Sequence, residues 1–196
     1  MIAFVRHGET AANRDGLVLG RADPGLTEEG QRQAERLAVV LAGEGVSAVI
    51  TSPLLRARQT AAAVAAACGV APEVDARLVE IDWGTWEGRP ASSLGVGVAA
   101  GERWRAEDGT APGGESLQSV GQRVESFCLE AFEREGLVVA VSHVSPIKAA
   151  AAWALDVEGT AAWRMYLGLA SITRLARRSG GRCLVSFNET AHLRCP

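Results

Sequence analysis

Arginine, histidine and glutamate residues stand at points of the sequence where they could act together on a phosphate group. Arg6 and His7 end one apolar run, and His143 follows another. Arg56 lies shortly after a third apolar run, and Glu80 lies in a fourth, shorter one. Guanidinium groups match phosphate oxygens in bidentate pairs and keep their charge at any relevant pH. These residue types therefore predict a site that binds a phosphate dianion.

Each of these side chains has a chemical role if the ligand is a phosphate. Arg6 and Arg56 can hold the dianion without a metal ion, and His7 can attack phosphorus once its other ring nitrogen is fixed by a hydrogen bond. His143 would donate a hydrogen bond to the equatorial oxygens. Glu80 would protonate the leaving oxygen and then activate water. Because phosphoryl transfer needs mainly positioning and charge neutralisation, this set is chemically sufficient.

Backbone features next to the two histidines favour the same chemistry. Gly8 directly follows His7 and is expected to let the ligand approach the backbone closely. Val144 and Ser145 begin a predicted helix directly after His143. Their N–H groups are expected to bind the phosphate, since a helix N-terminus attracts anions.

The apolar patterning predicts alternating strands and helices that bring these residues to one edge of a sheet. The predicted strands are Ile2–Arg6, Ser47–Thr51, a short extended piece at Leu78–Ile81, Leu137–Ser142, and a hairpin of Ser171–Ala176 and Cys183–Phe187. The predicted helices run from Thr27 to Gly43 and over Leu54–Cys68, Glu115–Glu135 and Ser145–Leu155, the last with Pro146 at its first position. Strands without alternation are buried on both faces, so we expect an α/β fold: a three-layer α/β/α sandwich with a mostly parallel central sheet. Ligands of such sheets bind at the carboxyl ends of the strands.

The length and the remaining segments predict a single domain with one insertion. The 196 residues suit one domain, and no linker or internal repeat divides them, so the domain is expected to cover residues 1–196. Gly8–Gly25 is predicted to be a loop. From Asp82 to Gly114 the periodicity fails, and this glycine-rich stretch with three tryptophans is predicted to be a lid or insertion over residues 82–114.

The composition argues against several classes of partner. The formal net charge of −3 and the isoelectric point of about 5.7 do not suit a chain whose main ligand is nucleic acid or an anionic membrane. No apolar stretch approaches membrane-spanning length, and the N-terminus lacks signal-peptide features. Four scattered cysteines show no metal-ligand spacing and suit a reducing compartment. We therefore expect a cytoplasmic protein without a metal ion or another cofactor.

An ordered series of motifs runs through nearly the whole chain. The motifs are Arg6-His7-Gly8-Glu9-Thr10 with Asn13, Leu26-Thr27 with Gly30 and Gln33-Ala34, Ser52-Pro53-Leu54 with Arg56-Ala57 and Gln59-Thr60-Ala61, Leu78 and Glu80 with Gly84 and Trp86-Glu87-Gly88, Pro112-Gly113-Gly114-Glu115-Ser116, and Val141-Ser142-His143. Together they resemble the histidine phosphatase superfamily, in its phosphoglycerate-mutase-like branch. One Arg-His-Gly match would be weak evidence, whereas an ordered series of this length is specific.

The resemblance implies a role for each residue of the predicted site. His7 would be the transiently phosphorylated nucleophile, and Glu80 would be the proton donor. Arg6, Arg56 and His143 would form the phosphate pocket. The fold that the resemblance implies is the same α/β/α sandwich that the periodicity predicts.

The resemblance also implies further contacts and the class of ligand. Asn13 and the turn around Gly20 would lie beside the phosphate or the rest of the substrate. The ligand would be a small-molecule phosphomonoester, and neither a nucleic acid nor a membrane is expected as a partner. The oligomeric state stays open between a monomer and a homodimer.

The motifs favour a phosphatase over a mutase. Cofactor-dependent mutases usually carry serine where this chain has Thr10, tryptophan where it has Ala12, and Gly-Asn-Ser at positions 144–146. The stretch after Glu80 is short and near-neutral, which suits hydrolysis better than retention of a phosphorylated intermediate. The runs 143–148 and 188–193 resemble phosphatases of the α-ribazole phosphatase type.

Two alternatives remain open at this point. One is phosphoryl transfer of the cofactor-dependent phosphoglycerate mutase type. The other is a low-turnover phosphohistidine or phosphoprotein-binding module, which Glu80 argues against because a pure acceptor needs no leaving-group acid. The only lysine, Lys148, could reach an anion or be a solvated helix residue. The third histidine, His192, is expected to be exposed or to make a structural hydrogen bond.

Overall fold

Six strands form one mixed sheet that carries the predicted site at one edge. The computed structural model describes residues 1–94 and 110–194. The strands are β1 (Ile2–Arg6), β2 (Val46–Thr51), β3 (Pro72–Val74), β4 (Leu137–Ser142), β5 (Ile172–Arg178) and β6 (Gly181–Glu189). Their order across the sheet is β3-β2-β4-β1-β5-β6. The pairs β3–β2, β2–β4 and β4–β1 are parallel, whereas β5 is antiparallel to β1 and β6 is antiparallel to β5.

Helices cover both faces of this sheet, as the alternation of elements predicts. They are α1 (Ala11–Arg14), α2 (Glu28–Ala42), α3 (Leu55–Cys68), α4 (Ala91–Leu94), α5 (Leu117–Ala131) and α6 (Val144–Ala154). One face of β1 packs Phe4 into a core shared with α5 and α6. The other face packs Val5 into a second core shared with α2 and α3. The predicted three-layer α/β/α sandwich with a mostly parallel centre is confirmed.

Local signals explain where the principal helices begin and end. The Thr27 side chain accepts a hydrogen bond from the Gly30 N–H and caps the start of α2. Gly69 ends α3 in the left-handed conformation, with φ of 70°. Ser116 caps α5, so this helix begins two residues later than predicted and also ends earlier, at Ala131.

Two predicted elements differ from the structure. Leu78–Ile81 is not a strand, because Asp75 accepts a hydrogen bond from the Arg77 N–H and caps a 3-10 turn at Ala76–Leu78. The strand of this region is instead β3, whose three exposed residues leave no apolar pattern. Helix α6 begins at Val144, so Pro146 is its third residue rather than its first. This position still lies in the first turn, where the missing N–H costs nothing.

The loop segments contain more regular structure than predicted. Within the predicted loop Gly8–Gly25, Thr10 and Asn13 form a capping box that starts the short helix α1. Of the predicted lid, residues 95–109 lie outside the described part, and the described flanks hold a 3-10 turn at Gly84–Trp86 and helix α4. The lid itself therefore stays a prediction. No helix within residues 1–94 and 110–194 is both long enough and apolar enough to span a bilayer.

Candidate active site

The register of the parallel strands brings the predicted residues together at their carboxyl ends. Arg6, the last residue of β1, pairs directly with Ser142, the last residue of β4. Each of these strand ends is followed by a buried histidine, His7 or His143, and the two rings lie 5.1 Å apart between centroids. The neighbouring strand β2 ends at Thr51, which pairs with Val141 of β4. Three strand ends therefore meet at one point of the sheet edge.

His7 is held with one ring nitrogen bonded and the other available. Its Nδ1 lies 2.7 Å from the carbonyl oxygen of Gly8, which can only accept, so we assign the ring proton to Nδ1. The lone pair then lies on Nε2. The pKa of His7 is well below its usual value, because burial disfavours the charged ring and the cations of Arg6 and Arg56 add repulsion. A neutral imidazole with a free Nε2 is the nucleophilic form.

Gly8 is required for the close packing of its loop against helix α2. A Cβ at Gly8 would lie 2.4 Å from the carbonyl oxygen of Gly30, and one at Gly30 would lie 2.2 Å from that of Glu9. A side chain at position 8 would therefore clash with the first turn of α2. The expectation that Gly8 also lets the ligand approach the backbone stays a prediction. The Gly8 N–H donates to the Thr60 hydroxyl.

His143 is oriented by a serine at the end of β2. The Ser52 hydroxyl oxygen lies 2.7 Å from His143 Nε2 and also accepts the Leu54 N–H. We assign the hydroxyl proton of Ser52 to the hydrogen bond with His143 Nε2, and this assignment places the His143 ring proton on Nδ1. Burial also keeps the pKa of His143 well below its usual value. The neutral ring thus presents Nδ1–H as a donor.

Each arginine of the site is anchored by backbone carbonyls. Arg6 Nη1 donates to the carbonyl oxygen of Leu167 at 2.7 Å. Arg56 is fully buried and donates to the carbonyl oxygens of Gly20 and Ala22, both at 2.8 Å. Carbonyl oxygens orient a guanidinium without neutralising its charge. The two side chains therefore remain available to an anion.

Three buried nitrogen donors of this cluster have no hydrogen-bond partner in the part of the chain that the structure describes. They are Arg6 Nε, Arg56 Nε and His143 Nδ1. Buried polar groups are nearly always paired, because leaving one unpaired costs about 1–3 kcal/mol. Donors of this kind on three residues around His7 favour an anion as the missing partner.

The Glu80 carboxylate lies on the N-terminus of α6. Oε1 accepts from the N–H groups of Ile81 and Ser145, and Oε2 accepts from that of Val144. We predicted from the sequence that the Val144 N–H binds the phosphate. In this structure it donates to Glu80 instead. The Ser142 hydroxyl donates to the carbonyl oxygen of Leu78 and ties the segment before Glu80 to β4.

The turn around Gly20 reaches the site through Arg56. The Glu87 carboxylate accepts the N–H groups of Gly20, Arg21 and Ala22 and folds this turn. The carbonyl oxygens of Gly20 and Ala22, in the same turn, accept hydrogen bonds from Arg56. Gly20 therefore contacts Arg56 through its carbonyl oxygen, and its predicted place beside the phosphate or the rest of the substrate stays a prediction.

Asn13 is engaged in the helix cap rather than held free. Its Oδ1 accepts from both the N–H and the hydroxyl of Thr10, at 3.1 and 2.9 Å. The side-chain oxygen is thus used by α1. Only the amide nitrogen of Asn13 is left for a substrate, and this contact stays a prediction.

His192 contacts the backbone of Ala170, the residue that is hydrogen-bonded to the backbone of His7. Its Nε2 lies 2.9 Å from the carbonyl oxygen of Ala170, and the Ala170 N–H donates to the carbonyl oxygen of His7. Ala170 has a positive φ of 50°, which is costly for a residue with a side chain. The expected structural hydrogen bond of His192 is confirmed.

Acid is expected to destabilise the protein below about pH 6.5 because two buried histidines stay neutral in the folded state. In the unfolded chain both His7 and His143 bind a proton near their usual pKa, whereas the folded protein excludes it. The free energy of unfolding should therefore fall by up to about 3 kcal/mol per pH unit as the pH drops below 6.5. Urea unfolding at pH 7.5 and pH 5.5 measures this. Equal stability at both pH values would contradict it.

Residues 2–190 match the family model described as the histidine phosphatase superfamily (branch 1). The chain belongs to the histidine phosphatase superfamily. Four of the motifs that resemble this family supply the residues of the site, which are Arg6 and His7, Arg56, Glu80, and His143.

Curated relatives in the histidine phosphatase superfamily carry several names. The bifunctional protein Rv2228c of Mycobacterium tuberculosis (strain H37Rv) is 36% identical over 199 residues, which cover 98% of this chain and 54% of that protein. The chain thus spans about half the length of the first curated relatives it matches. A protein named "Probable phosphoglycerate mutase GpmB" from Yersinia enterocolitica is 33% identical over 209 residues, covering 100% of this chain and 95% of that protein.

Solved structures of superfamily members superpose over almost the whole chain. Phosphoserine phosphatase from Entamoeba histolytica, in complex with 3-phosphoglyceric acid, gives a TM-score of 0.86 at 31% identity and covers 98% of both chains. Mycobacterial glucosyl-3-phosphoglycerate phosphatase Rv2419c, in complex with VO3, gives 0.85 at 26% identity, with 96% of this chain and 99% of that chain covered. The α-ribazole phosphatase from Shigella flexneri gives 0.81 at 27% identity, with 96% of each chain covered.

Sequence reasoning missed two residues that position the superfamily site. Ser52 orients His143, and the Thr60 hydroxyl donates to the carbonyl oxygen of Arg56 while it accepts from Gly8. Both belong to the matched motifs, and a polar residue directly after a buried strand was the available signal for Ser52. Within the described residues, no group of three or more His, Cys, Asp or Glu side chains is arranged to hold a metal ion.

Proposed function

We propose that the chain is a phosphomonoesterase that hydrolyses a small phosphorylated metabolite through a phosphohistidine on His7. The observation that carries this proposal is the set of three unpaired buried donors around a neutral His7 with a free Nε2. Such a set can bind the oxygens of a phosphate while that nitrogen attacks the phosphorus. The arginines also supply the positive charge that a metal ion provides elsewhere, so we propose that the reaction needs no metal.

In the first step, His7 Nε2 forms a bond to phosphorus and the bond to the ester oxygen breaks. Arg6, Arg56 and His143 bind the non-bridging oxygens and stabilise the charge that develops on them. Glu80, in its protonated form, transfers its proton to the leaving oxygen. The products are a free alcohol, a phosphorylated His7 and a Glu80 carboxylate.

In the second step, water attacks the phosphorus of the phosphohistidine and the P–N bond breaks. The Glu80 carboxylate takes a proton from this water and is ready for the next cycle. His7 returns to the neutral form, which the Gly8 carbonyl orients. Phosphate then leaves, and the sum of both steps is the hydrolysis of one ester bond by one water molecule.

The other predicted residues have supporting roles in this proposal. Gly8 fixes the Nδ1 proton of the nucleophile, and the Gly20 turn holds Arg56. Val144 positions Glu80 through its N–H group, and that group turns to the phosphate only if Glu80 releases it. Asn13 can contribute its amide nitrogen to the substrate.

The names of related proteins support hydrolysis, and one of them keeps the alternative open. The three superposed structures named above are phosphatases. The phosphoglycerate mutase name of the Yersinia enterocolitica relative supports mutase-type transfer as the second candidate. The two candidates differ in the fate of the phosphoryl group, which passes to water in a phosphatase and returns to a substrate in a mutase.

Turnover of two phosphate esters in the presence of EDTA is expected to separate these candidates and to test the need for a metal ion. We expect release of inorganic phosphate from p-nitrophenyl phosphate at a rate that EDTA does not change, because arginines rather than a metal ion neutralise the phosphate. With 3-phosphoglycerate we expect any turnover to release phosphate. Isomerisation to 2-phosphoglycerate without phosphate release would exclude the phosphatase proposal, and loss of turnover in EDTA would contradict the metal-free mechanism.

A further inference from the structure

Asn188 is a polar residue that the mechanism above does not use, although it begins the run 188–193. It lies near the end of the edge strand β6, and its backbone is in the left-handed region, with φ of 59°. Asparagine adopts this conformation more readily than most residues with a side chain. The Asn188 N–H donates to the Thr173 hydroxyl of β5 at 3.2 Å. The backbone of Asn188 is thus held against the neighbouring strand.

The Asn188 side chain binds the same peptide group that anchors Arg6. Its Oδ1 accepts the N–H of Gly168 at 2.7 Å. Because a backbone N–H can only donate, the side-chain atom that faces it must be the amide oxygen. The carbonyl oxygen of this peptide group belongs to Leu167 and accepts Arg6 Nη1, also at 2.7 Å. One peptide group therefore joins Asn188 to Arg6.

A planar peptide group couples the position of its N–H to that of its carbonyl oxygen. The Leu167–Gly168 peptide bond is trans, so its N–H and its C=O point in opposite directions within one plane. A rotation of this plane that breaks the hydrogen bond to Asn188 also moves the oxygen that holds Arg6. The bond to the N–H in addition polarises the carbonyl and strengthens it as an acceptor.

The orientation of Arg6 determines which of its nitrogens is available to an anion. Nη1 is bonded to the Leu167 carbonyl, whereas Nε is a buried donor without a partner among the described residues. Because the guanidinium is planar and rigid, the anchor at Nη1 restricts the direction of the Nε–H bond. The Leu167–Gly168 peptide group thus helps to set the donor that the proposed mechanism gives to the phosphate.

We propose that Asn188 is a positioning residue for Arg6 and thereby a determinant of phosphate affinity. This inference rests on the proposed function, in which Arg6 binds the phosphate. Asn188 acts through the Leu167–Gly168 peptide group and needs no contact with the substrate. Without its amide oxygen the peptide group can turn, and Arg6 then adopts orientations that do not bind the phosphate.

Replacement of Asn188 by glycine tests this role, because glycine tolerates the left-handed backbone and only the side chain is lost. The Kd for inorganic phosphate, measured by titration calorimetry, should rise by about 3- to 30-fold. The kcat/KM for p-nitrophenyl phosphate should fall by about 10- to 100-fold, since small misplacements of a binding group are costly. Asn188→Asp keeps both the acceptor oxygen and the tolerance for this backbone, so it should recover most of the loss.

Ser47→Ala is the matched control for the loss of a side-chain hydrogen bond to the backbone. The Ser47 hydroxyl donates to the carbonyl oxygens of Glu135 and Leu137. These bonds lie where the parallel strands β2 and β4 begin, at the opposite end from the site. Both the Kd for phosphate and kcat/KM should stay within about twofold of the wild-type values.

An Arg6→Met background separates a positioning role from a general structural one. If Asn188 acts through Arg6, Asn188→Gly should change Kd and kcat/KM by less than about twofold once the Arg6 side chain is absent. Equal fold-changes in both backgrounds, or no change with Arg6 present, would overturn the inference. Asn188→Ala supplies the same comparison if the glycine variant does not fold. Failure of the proposed function would look different: the wild type would neither bind inorganic phosphate nor release it from p-nitrophenyl phosphate.

Discussion

Replacement of His7 by alanine should lower the rate of phosphate release from any phosphomonoester by at least about 10⁴-fold. The imidazole is the only nucleophile in the proposed mechanism, and Nε2 is the atom that its hydrogen bond to Gly8 leaves free. The remaining groups, Arg6, Arg56 and His143, would still bind the substrate. KM should therefore change far less than kcat.

Two controls separate this effect from a loss of structure. The His7→Ala variant should keep a cooperative urea unfolding transition, because the backbone hydrogen bonds of residue 7 to Ser142 and Ala170 do not involve the side chain. Added imidazole should restore part of the turnover by occupying the space of the missing ring. A folded variant that retains more than about a tenth of the wild-type kcat would be incompatible with a nucleophilic His7.

The Glu80→Gln variant should show a loss that depends on the leaving group. For an alkyl ester such as 3-phosphoglycerate, phosphate release should fall by about 10²- to 10⁴-fold, because the leaving alkoxide needs a proton. For p-nitrophenyl phosphate the leaving group is already stable as an anion. The first turnover of p-nitrophenyl phosphate should therefore remain fast. The following turnovers should be slow, because no carboxylate at position 80 takes the proton of the water that attacks the phosphohistidine. Stopped-flow absorbance should therefore show a burst of one nitrophenolate per active site.

A matched control for this variant is Glu73→Gln. Glu73 lies on the exposed edge strand β3, and its carboxylate forms an ion pair with Arg134, which is not a residue of the proposed site. Its replacement should leave both esters unaffected. Uniform slowing of Glu80→Gln with both esters and without a burst would show that Glu80 does not act as the acid.

The convergence of the site could be predicted because strand ends carry its chemistry. Arg6, His7 and His143 sit at the ends of buried strands that apolar runs define without ambiguity, and parallel strands bring their carboxyl ends to one edge. Arg56 is found in the same way, in the first turn of α3, the helix after β2. For these residues, sequence position alone determines the place in the fold.

Other parts of the structure depend on contacts that the sequence does not encode locally. The β3 strand is too short and exposed for an apolar pattern, and the segment before Glu80 is shaped by the Asp75 cap and the Ser142 hydroxyl. The need for glycine at position 8 arises from Gly30, more than twenty residues away. The burial of Lys148 likewise follows from the packing of α6 rather than from the helix pattern.

The most direct test of the central claim is to trap the phosphorylated protein. Wild-type protein would be mixed with a ³²P-labelled phosphomonoester, quenched in alkali and digested, and the labelled peptide would be sequenced by mass spectrometry. The mechanism predicts one alkali-stable, acid-labile phosphoryl group on His7, formed fast enough to account for turnover and retained longer in Glu80→Gln. Turnover without any label, or a label on a residue other than His7, would contradict it.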